Sequence, residues 1–256
     1  MKTVQQIYET LCSLAPLELQ LDFDNAGFLV GRSDTPVERV LLALDVTPCV
    51  IDEALEKGAR LIVSHHPVIF DPVRSITERT PEGLRLLRLI ENGLSVISMH
   101  TNLDIADGGI NDVLIRALGA EPVAALDENG CGRIGVLPQE TTLADFLARC
   151  RAALPAKGLR YLDAQRPVHR LAVMGGSGAD SIACAAALGC DTFVTADVKY
   201  HDFQYALDLG INLIDADHFG TEQLVIPALQ QKLQQAHPEL AFLVSERHRA
   251  IVSFYV

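Results

Sequence analysis

The sequence predicts an α/β protein built from two similar halves, each containing a mainly parallel sheet covered by helices. Three observations lead to this fold class. Near-continuous apolar runs of strand length alternate with segments of helical periodicity. A strand–helix–strand pattern in the first half recurs in the second half. Clusters of polar residues follow the strands, at the edge where parallel sheets place their ligand sites.

The first half contains three predicted strands and two predicted helices in alternation. The apolar runs at 40–46, 61–64 and 94–99 have the length and composition of buried strands. Between them, residues 48–57 and 84–91 place their apolar side chains on one helical face. This order is that of successive βαβ units.

The second half repeats the plan. The segment that starts at Val37 resembles the one that starts at Val168, and a glycine follows each at the same interval, Gly58 and Gly189. We infer an internal duplication. The alternative is a chance resemblance between two parallel βαβ units, because glycine caps and Val/Ile strands recur widely.

The length of 256 residues fits one large domain or two closely packed lobes. We predict a first half at 1–125 and a second half at 126–256, with 240–256 as a segment that could pack on the first half. The join contains a turn-rich segment and a helix at 143–154, and no linker-like composition. The two halves are expected to form one compact body.

Composition limits the classes of function. A formal net charge of −12, with no basic cluster, argues against general binding of nucleic-acid phosphates. The six cysteines have no CxxC spacing, so reduced, buried thiols are favoured over disulfides. The first residues lack the continuous apolar region of a signal peptide, and no run approaches the roughly 20 apolar residues of a membrane span. We therefore expect a cytoplasmic protein without membrane contact.

Histidines are concentrated where predicted strands end. Four loops follow the strands that end near residues 64, 99, 196 and 215. Five of the eight histidines lie in these loops: His65, His66, His100, His201 and His218. Because the carboxyl ends of parallel strands meet at one edge of a sheet, these side chains are expected to converge.

The loops supply the imidazole and carboxylate donors of a metal site, predicted between the two halves at the C-terminal ends of the strands. Mixed His and carboxylate ligation suits zinc, iron or manganese better than calcium. His218 and Glu222 are spaced to share one face of a helix that includes Gly220 and the residues after it. The sequence predicts two divalent ions per chain, with the candidate ligands His65, His66, Asp104, His218 and Glu222.

Each candidate also has a structural explanation. Adjacent histidines are often surface or structural residues. Asp104 could cap a helix that begins near Gly109, and His218 with Glu222 could form an exposed helical pair. Their joint position at strand ends favours metal binding over these separate explanations.

Other polar residues leave two interpretations open. One loop contains Asp197, Lys199, Tyr200 and His201. These residues could supply acid/base groups or substrate contacts, or they could form a cluster of solvated charges. His100 could orient a metal ligand or be a core histidine. The glycine-rich run 175–178 could cradle a phosphate, although a tight βα turn is the stronger interpretation. Structural or surface roles are expected for His169, His237 and His248.

Several motifs together resemble one known family, the dinuclear-metal proteins named GTP cyclohydrolase 1 type 2 homologues. SHHP, HTNLD and HFGTE, in this order, form a specific combination within a resemblance that covers nearly the whole chain. The matching segments are DFDNAGFLVG (22–31), LLALDVT (41–47), GARLIVSHHPVIF (58–70), SMHTNLD (98–104), GGSG (175–178), TADVKYHDFQYAL (195–207) and DADHFGTE (215–222).

The resemblance implies the same five metal ligands. It implies that Glu222 bridges the ions, with His65 and Asp104 nearer one ion and His66 and His218 nearer the other. It also implies a homohexameric ring, a trimer of dimers. Three positions depart from the family pattern: Phe23 stands where Trp is common, and Ala196 and Asp217 stand where Gly is usual. None of the three removes a ligand.

The favoured function is a metal-dependent hydrolase, with GTP ring opening as the activity implied by the resemblance. Paired ions lower the pKa of a shared water and stabilise charge on a carbonyl, purine ring or phosphoryl group. The sequence offers no identifiable guanine-reading element, so the small-molecule substrate is open. The alternatives are a non-enzymatic metal-binding or metal-delivery ring, and a phosphodiesterase or phosphatase acting on a nucleotide or single-stranded nucleic acid.

Overall fold

The computed structural model describes residues 2–253 and 255. By its internal contacts the chain divides into two compact units. Unit 1 comprises the described residues up to Ala106 together with Ile226–Arg249, and unit 2 comprises Asp107–Val225 with the described residues from Ala250 onward. This division differs from the predicted halves, which meet at residue 125. The difference has a physical reason in the strand pairing described below.

The described residues form thirteen strands and ten α-helices. In chain order the strands are β1 (Lys2–Thr3), β2 (Gly27–Val30), β3 (Pro36–Val37), β4 (Arg39–Ala43), β5 (Leu61–Ser64), β6 (Ser95–Ser98), β7 (Glu121–Ala125), β8 (Arg133–Thr141), β9 (Arg160–Leu162), β10 (Val168–Ser177), β11 (Thr192–Ala196), β12 (Asn212–Asp215) and β13 (Ala241–Val244). The helices are α1 (Val4–Leu14), α2 (Pro48–Glu56), α3 (Pro81–Glu91), α4 (Thr101–Ile105), α5 (Ile110–Ala117), α6 (Leu143–Ala153), α7 (Ile182–Ala187), α8 (Tyr200–Leu209), α9 (His218–Glu222) and α10 (Val225–Ala236).

The sheet of unit 1 has the order β13-β4-β5-β6-β2. Its first four strands are parallel, and β2 pairs with β6 in the antiparallel direction. Every residue of β5 and β6 is buried, as expected for strands covered on both faces. Leu41, Ile62 and Val96 are neighbours across three strands and belong to one core cluster. The prediction of a mainly parallel sheet is confirmed for this unit.

The sheet of unit 2 has the order β7-β8-β10-β11-β12-β9 and is mixed. Only β10, β11 and β12 are parallel to one another; the pairings of β7 with β8, β8 with β10 and β9 with β12 are antiparallel. The prediction of a mainly parallel sheet is therefore wrong for this unit outside its centre. The turn-rich segment after residue 125 connects β7 and β8 as an antiparallel hairpin, and this pairing places residues 121–125 in unit 2.

The two units share a similar centre, which supports the inferred duplication. In unit 2, Val173, Val194 and Ile214 are neighbours across β10, β11 and β12 and belong to the core, in the same arrangement as the central apolar residues of unit 1. Gly58 and Gly189 end equivalent helices with φ of +67° and +75°. Glycine adopts this left-handed conformation without a steric penalty, so it can terminate each helix at the equivalent position of the two units.

No helix in the described part of the chain combines the length and apolar character needed to cross a lipid bilayer.

A buried carboxylate joins α2 to the segment after β13. Glu53 is 1% exposed and accepts hydrogen bonds from Ser245 Oγ at 2.5 Å, from the Glu246 N–H at 3.0 Å and from the Arg247 N–H at 3.2 Å. Lys57 Nζ lies 2.8 Å from the same carboxylate. Burial alone would raise the pKa of Glu53, but these donors together lower it to about 2.

Replacing Glu53 by Gln is expected to destabilise the protein by about 3 kcal/mol at neutral pH, because an amide cannot accept from all these donors. The pKa of Glu53 is lower in the folded than in the unfolded state. Its stabilisation is therefore fully present above the ordinary pKa of 4.5 and is lost as pH falls towards 2. Urea unfolding at pH 7 and pH 3 measures the difference between the two proteins, which should shrink at pH 3.

The control is Glu56→Gln, on the exposed side of the same helix, where the ion pair with Arg247 is worth at most about 1 kcal/mol. Equal effects of the two substitutions, or a Glu53→Gln effect that does not change with pH, would contradict this account.

Candidate metal centre

Three neighbouring parallel strands of unit 1 deliver polar side chains to one edge of the sheet. β4 is followed by Asp45, β5 by His65 and His66, and β6 by His100. The backbone continues the pairing beyond the strands, since the His66 N–H donates to Leu44 O at 2.9 Å. The convergence expected from the sequence is therefore present within this unit.

The three imidazoles form a compact cluster. The ring centroids of His65 and His66 are 4.8 Å apart, those of His65 and His100 5.0 Å, and those of His66 and His100 5.7 Å. One nitrogen from each ring lies within 4.8 Å of the others, so the three side chains form a group that could hold a metal ion. The sequence left His100 open between two roles, and the structure makes it a third possible nitrogen ligand in unit 1.

In each imidazole of this cluster, the Nδ1 atom is hydrogen-bonded to an oxygen acceptor. The Nδ1 atom of His65 lies 2.8 Å from Met99 O, that of His66 2.9 Å from Asp45 Oδ1, and that of His100 2.7 Å from Asp24 Oδ1. A carbonyl or carboxylate accepts the proton on Nδ1, which leaves the Nε2 lone pair as the donor to a metal. This is the arrangement that orients metal-binding histidines.

The supporting carboxylates are themselves well satisfied. Burial would raise the pKa of Asp24, but hydrogen bonds from His100 and from the hydroxyl and N–H of Thr101 lower it to about 2. Burial would also raise the pKa of Asp45, but hydrogen bonds from the imidazoles of His248 and His66 hold this pKa far below the ordinary range. Both groups therefore remain anionic acceptors at neutral pH.

Asp104 lies in α4, and its Oδ1 atom is 3.9 Å from His65 Nε2. Zinc binds nitrogen and oxygen ligands at about 2.0–2.2 Å, so two ligands of one ion lie no more than about 4.4 Å apart. The separation fits a shared ion. The helix-capping explanation does not hold, because the cap of α5 is Gly109 and Asp104 belongs to the preceding helix.

In unit 2, His218 and Glu222 begin and end α9, and their Nε2 and Oε2 atoms are 3.2 Å apart. Glu222 is only 3% exposed, which excludes the explanation of a fully exposed helical pair. Asp197 Oδ2 accepts from His218 Nδ1 at 2.7 Å, so this histidine has the same support as those of unit 1. Burial would lower the pKa of His218, but Glu222 and Asp197 raise it to about 9.

Gly176 leaves room for this pair. A Cβ atom at residue 176 would lie 2.3 Å from Glu222 Oε1 and 3.2 Å from His218 Nε2. A side chain at this position would therefore displace the carboxylate. The imidazole and carboxylate donors, oriented by their hydrogen bonds, fit a divalent metal ion better than they fit a purely structural cluster. The absence of a side chain at residue 176 agrees with this fit.

The glycine-rich run does not form a phosphate cradle. The N–H groups of Gly175, Gly176 and Gly178 donate to the side chains of Asn111, Thr221 and Thr195 at 2.9, 3.0 and 3.0 Å. These donors are therefore used within the protein. The interpretation as a tight turn between β10 and the following helical segment is the one that the structure supports.

The secondary candidates separate into two groups. Of the four loop residues that could supply acid/base groups, Asp197 contacts the candidate ligand His218. The other three, Lys199, Tyr200 and His201, lie at the start of α8, where the Lys199 N–H donates to Asp202. Among the three histidines expected to be structural, His169 is exposed and His237 bonds Thr10 Oγ1 at 2.8 Å.

The third of these histidines, His248, has a structural role beside the imidazole cluster. His248 is 8% exposed, and its Nε2 atom lies 2.9 Å from Asp45 Oδ2, so Asp45 bridges His248 and His66. Asp24 and Asp45 were missed as supporting residues. A signal for Asp45 existed, because it follows a strand end as directly as the histidines do.

Comparison with known proteins shows the family of this chain. The family model described as Duf34/NIF3 (NGG1p interacting factor 3) matches residues 2–250. The chain belongs to this family. A Clostridium acetobutylicum protein named GTP cyclohydrolase 1 type 2 homolog is 36% identical over 241 residues, which are 91% of this chain and 90% of the relative. A Clostridium perfringens protein of the same name is 34% identical over 95% of this chain and 96% of its own length.

The fold of this NIF3-family chain is also found among solved structures. A Bacillus cereus protein related to NIF3 superposes with a TM-score of 0.94 at 24% identity, over 100% of this chain and 99% of that protein. At this identity the likeness shows the fold. The predicted family resemblance and the α/β fold class are confirmed.

Proposed function

We propose that this chain is a dinuclear metal-dependent hydrolase-like protein that binds two divalent ions through His65, His66, Asp104, His218 and Glu222. One observation carries the proposal. Each of the three proposed histidine ligands has its Nδ1 atom engaged with a backbone carbonyl or a carboxylate, which directs Nε2 towards a metal. His100 has the same arrangement and is available to one of the ions.

The donor types favour zinc, iron or manganese. Imidazole nitrogens and carboxylate oxygens suit these metals, whereas calcium prefers a shell of oxygens alone. We propose that Glu222 bridges the ions, with His65 and Asp104 nearer one and His66 and His218 nearer the other, as the family resemblance implies.

Within this proposal the protein's own residues have separate tasks. When bound, the ions would supply Lewis-acid stabilisation and activation of water. Asp24, Asp45 and Asp197 hold the imidazoles in orientation and keep a proton on each Nδ1 atom. GTP ring opening is the reaction suggested by the names of the relatives.

The assembly and location are also proposals. The family resemblance supports a homohexamer, a trimer of dimers, and the composition supports a cytoplasmic protein without membrane or general nucleic-acid binding. Light scattering coupled to size-exclusion chromatography would measure the assembly: a hexamer mass supports the ring, and a monomer mass excludes it.

A second candidate is a metal-binding or metal-delivery protein without catalytic activity. The observation that favours it is the makeup of the clusters: within the described residues, the groups that could hold a metal ion consist of histidines and one glutamate. A phosphodiesterase or phosphatase acting on a nucleotide or single-stranded nucleic acid is a third candidate, and the net charge of −12 counts mildly against a nucleic-acid substrate.

Elemental analysis of the purified protein, followed by an activity screen of the metal-loaded form, tests these candidates. We expect close to two equivalents of transition metal per chain and turnover of GTP. Turnover of phosphoesters alone would favour the third candidate. Exchangeable metal without turnover of GTP, phosphoesters or amides would favour delivery, and protein that retains no metal after loading would overturn the proposal.

A further inference from the structure

Two exposed aromatic rings stand beside the imidazole cluster of unit 1. Phe23 is 64% exposed and Phe70 is 46% exposed. Their ring centroids are 6.4 Å apart with an interplanar angle of 56°, and Phe70 meets the ring of His100 edge-on at 6.0 Å. We call these two residues the Phe23–Phe70 pair. Isolated exposed hydrophobic residues are common, so exposure alone says little.

What distinguishes the pair is the rigidity of the loops that present it. Asp24, next to Phe23, has a fully buried side chain that binds His100 Nδ1 and both the N–H and hydroxyl of Thr101. Asn25 Nδ2 donates to Ile69 O at 2.7 Å, which ties the loop of Phe23 to the loop of Phe70. The loops that carry the two rings are therefore anchored to each other and to His100, although the rings themselves gain little from burial.

A preorganised pair of this size suits a small planar ligand. Stable protein interfaces bury about 800 Å² on each partner, far more than two rings provide. A flat heteroaromatic ring, by contrast, gains about 1–3 kcal/mol from stacking on one aromatic side chain. The edge contact between Phe70 and His100 places such a ring next to the nitrogen cluster.

We propose that the Phe23–Phe70 pair is the stacking platform that selects a planar heteroaromatic ring, such as the base of a purine nucleotide, as the substrate group at this site. The proposal rests on the proposed metal centre for the chemistry that follows binding. Stacking itself needs only the two rings, so the two proposals can fail separately. It also supplies the ring-reading element that the sequence alone did not reveal.

The chain contains no tryptophan, which allows a direct test. Phe23→Trp introduces a single indole at the platform, and stacking of a base on it quenches its fluorescence. We expect saturable quenching by guanosine and by GTP, and none by ribose 5-phosphate. In the Phe23→Trp background, Phe70→Ala is expected to weaken guanosine binding about 5- to 150-fold. Phe70→Leu, which retains an apolar side chain, separates stacking from simple hydrophobic contact.

Val123→Trp, at an exposed residue of β7, is the matched control and should show only weak, unsaturable quenching. Three results would overturn the platform: no quenching of Phe23→Trp by any base, equal quenching of the control, or blue-shifted emission that increases with protein concentration and shows a second copy covering the rings. Adding Glu222→Gln to Phe23→Trp distinguishes the proposals, because loss of metal with guanosine quenching retained would leave the platform intact.

Discussion

Replacing Glu222 by Gln is expected to lower the affinity for divalent metal by more than about 100-fold, the largest effect expected of any single substitution in the chain. The amide keeps the shape of the side chain but removes the charge and one of the two oxygens that the proposed bridging role requires. Glu222 is 3% exposed and lies 3.2 Å from His218 Nε2, so the substitution changes a buried donor next to another proposed ligand. Metal content after dialysis and competition with a chromophoric chelator measure the change.

Glu128→Gln is the control for this substitution, because Glu128 is exposed in the turn between β7 and β8. It should retain the metal content of the unmodified protein. Thermal unfolding of the metal-free proteins checks that both variants fold. If folded Glu222→Gln protein binds metal as tightly as the control, Glu222 is not a ligand and the proposed dinuclear centre is wrong.

The second largest effect is expected for Asp45→Asn, with a loss of metal affinity of about 10- to 100-fold. Asp45 accepts from His66 through Oδ1 and from His248 through Oδ2, at 2.9 Å in both cases. An asparagine has one acceptor and one donor end, so it cannot accept from both imidazoles. Either His66 or His248 must then turn its ring or move its proton to the other nitrogen.

The matched control is Asp52→Asn, in which a half-exposed carboxylate that pairs with Arg88 is changed in the same way. The chelator competition should give unchanged affinity for this control. Long-range nitrogen–proton NMR spectra of the histidine rings give a second readout, because a positioning role predicts a change in the His66 tautomer. Unaltered spectra and affinity for Asp45→Asn would reject that role.

The central strands could be predicted because burial on both faces imposes a simple composition. The run at 61–64 is apolar or small, lies between polar residues, and corresponds to β5 in the structure. The outer strands β7 and β9 are largely exposed, so their sequences lack this signal. Their antiparallel pairing made the second sheet mixed rather than mainly parallel.

For the candidate site, the chemistry of the residues was more informative than their position. Histidine is rare enough that His65, His66 and His218 stand out beside strand ends. Aspartate is common in loops, and the sequence gives no reason to connect Asp24 with His100, which follows it by 76 positions. His248 could not be linked to Asp45 without knowing that β13 pairs with β4.

That pairing has a consequence for how unit 1 forms during synthesis. β4 is translated long before β13, and until residues 241–244 emerge its outer edge carries unpaired N–H and C=O groups, an open template for wrong partners. The segment that follows β13 also brings Ser245 to Glu53 and His248 to Asp45. A nascent chain stopped near residue 125 would therefore contain His65, His66 and His100 but would lack β13, which pairs with β4. It would also lack His248, which forms a hydrogen bond with Asp45.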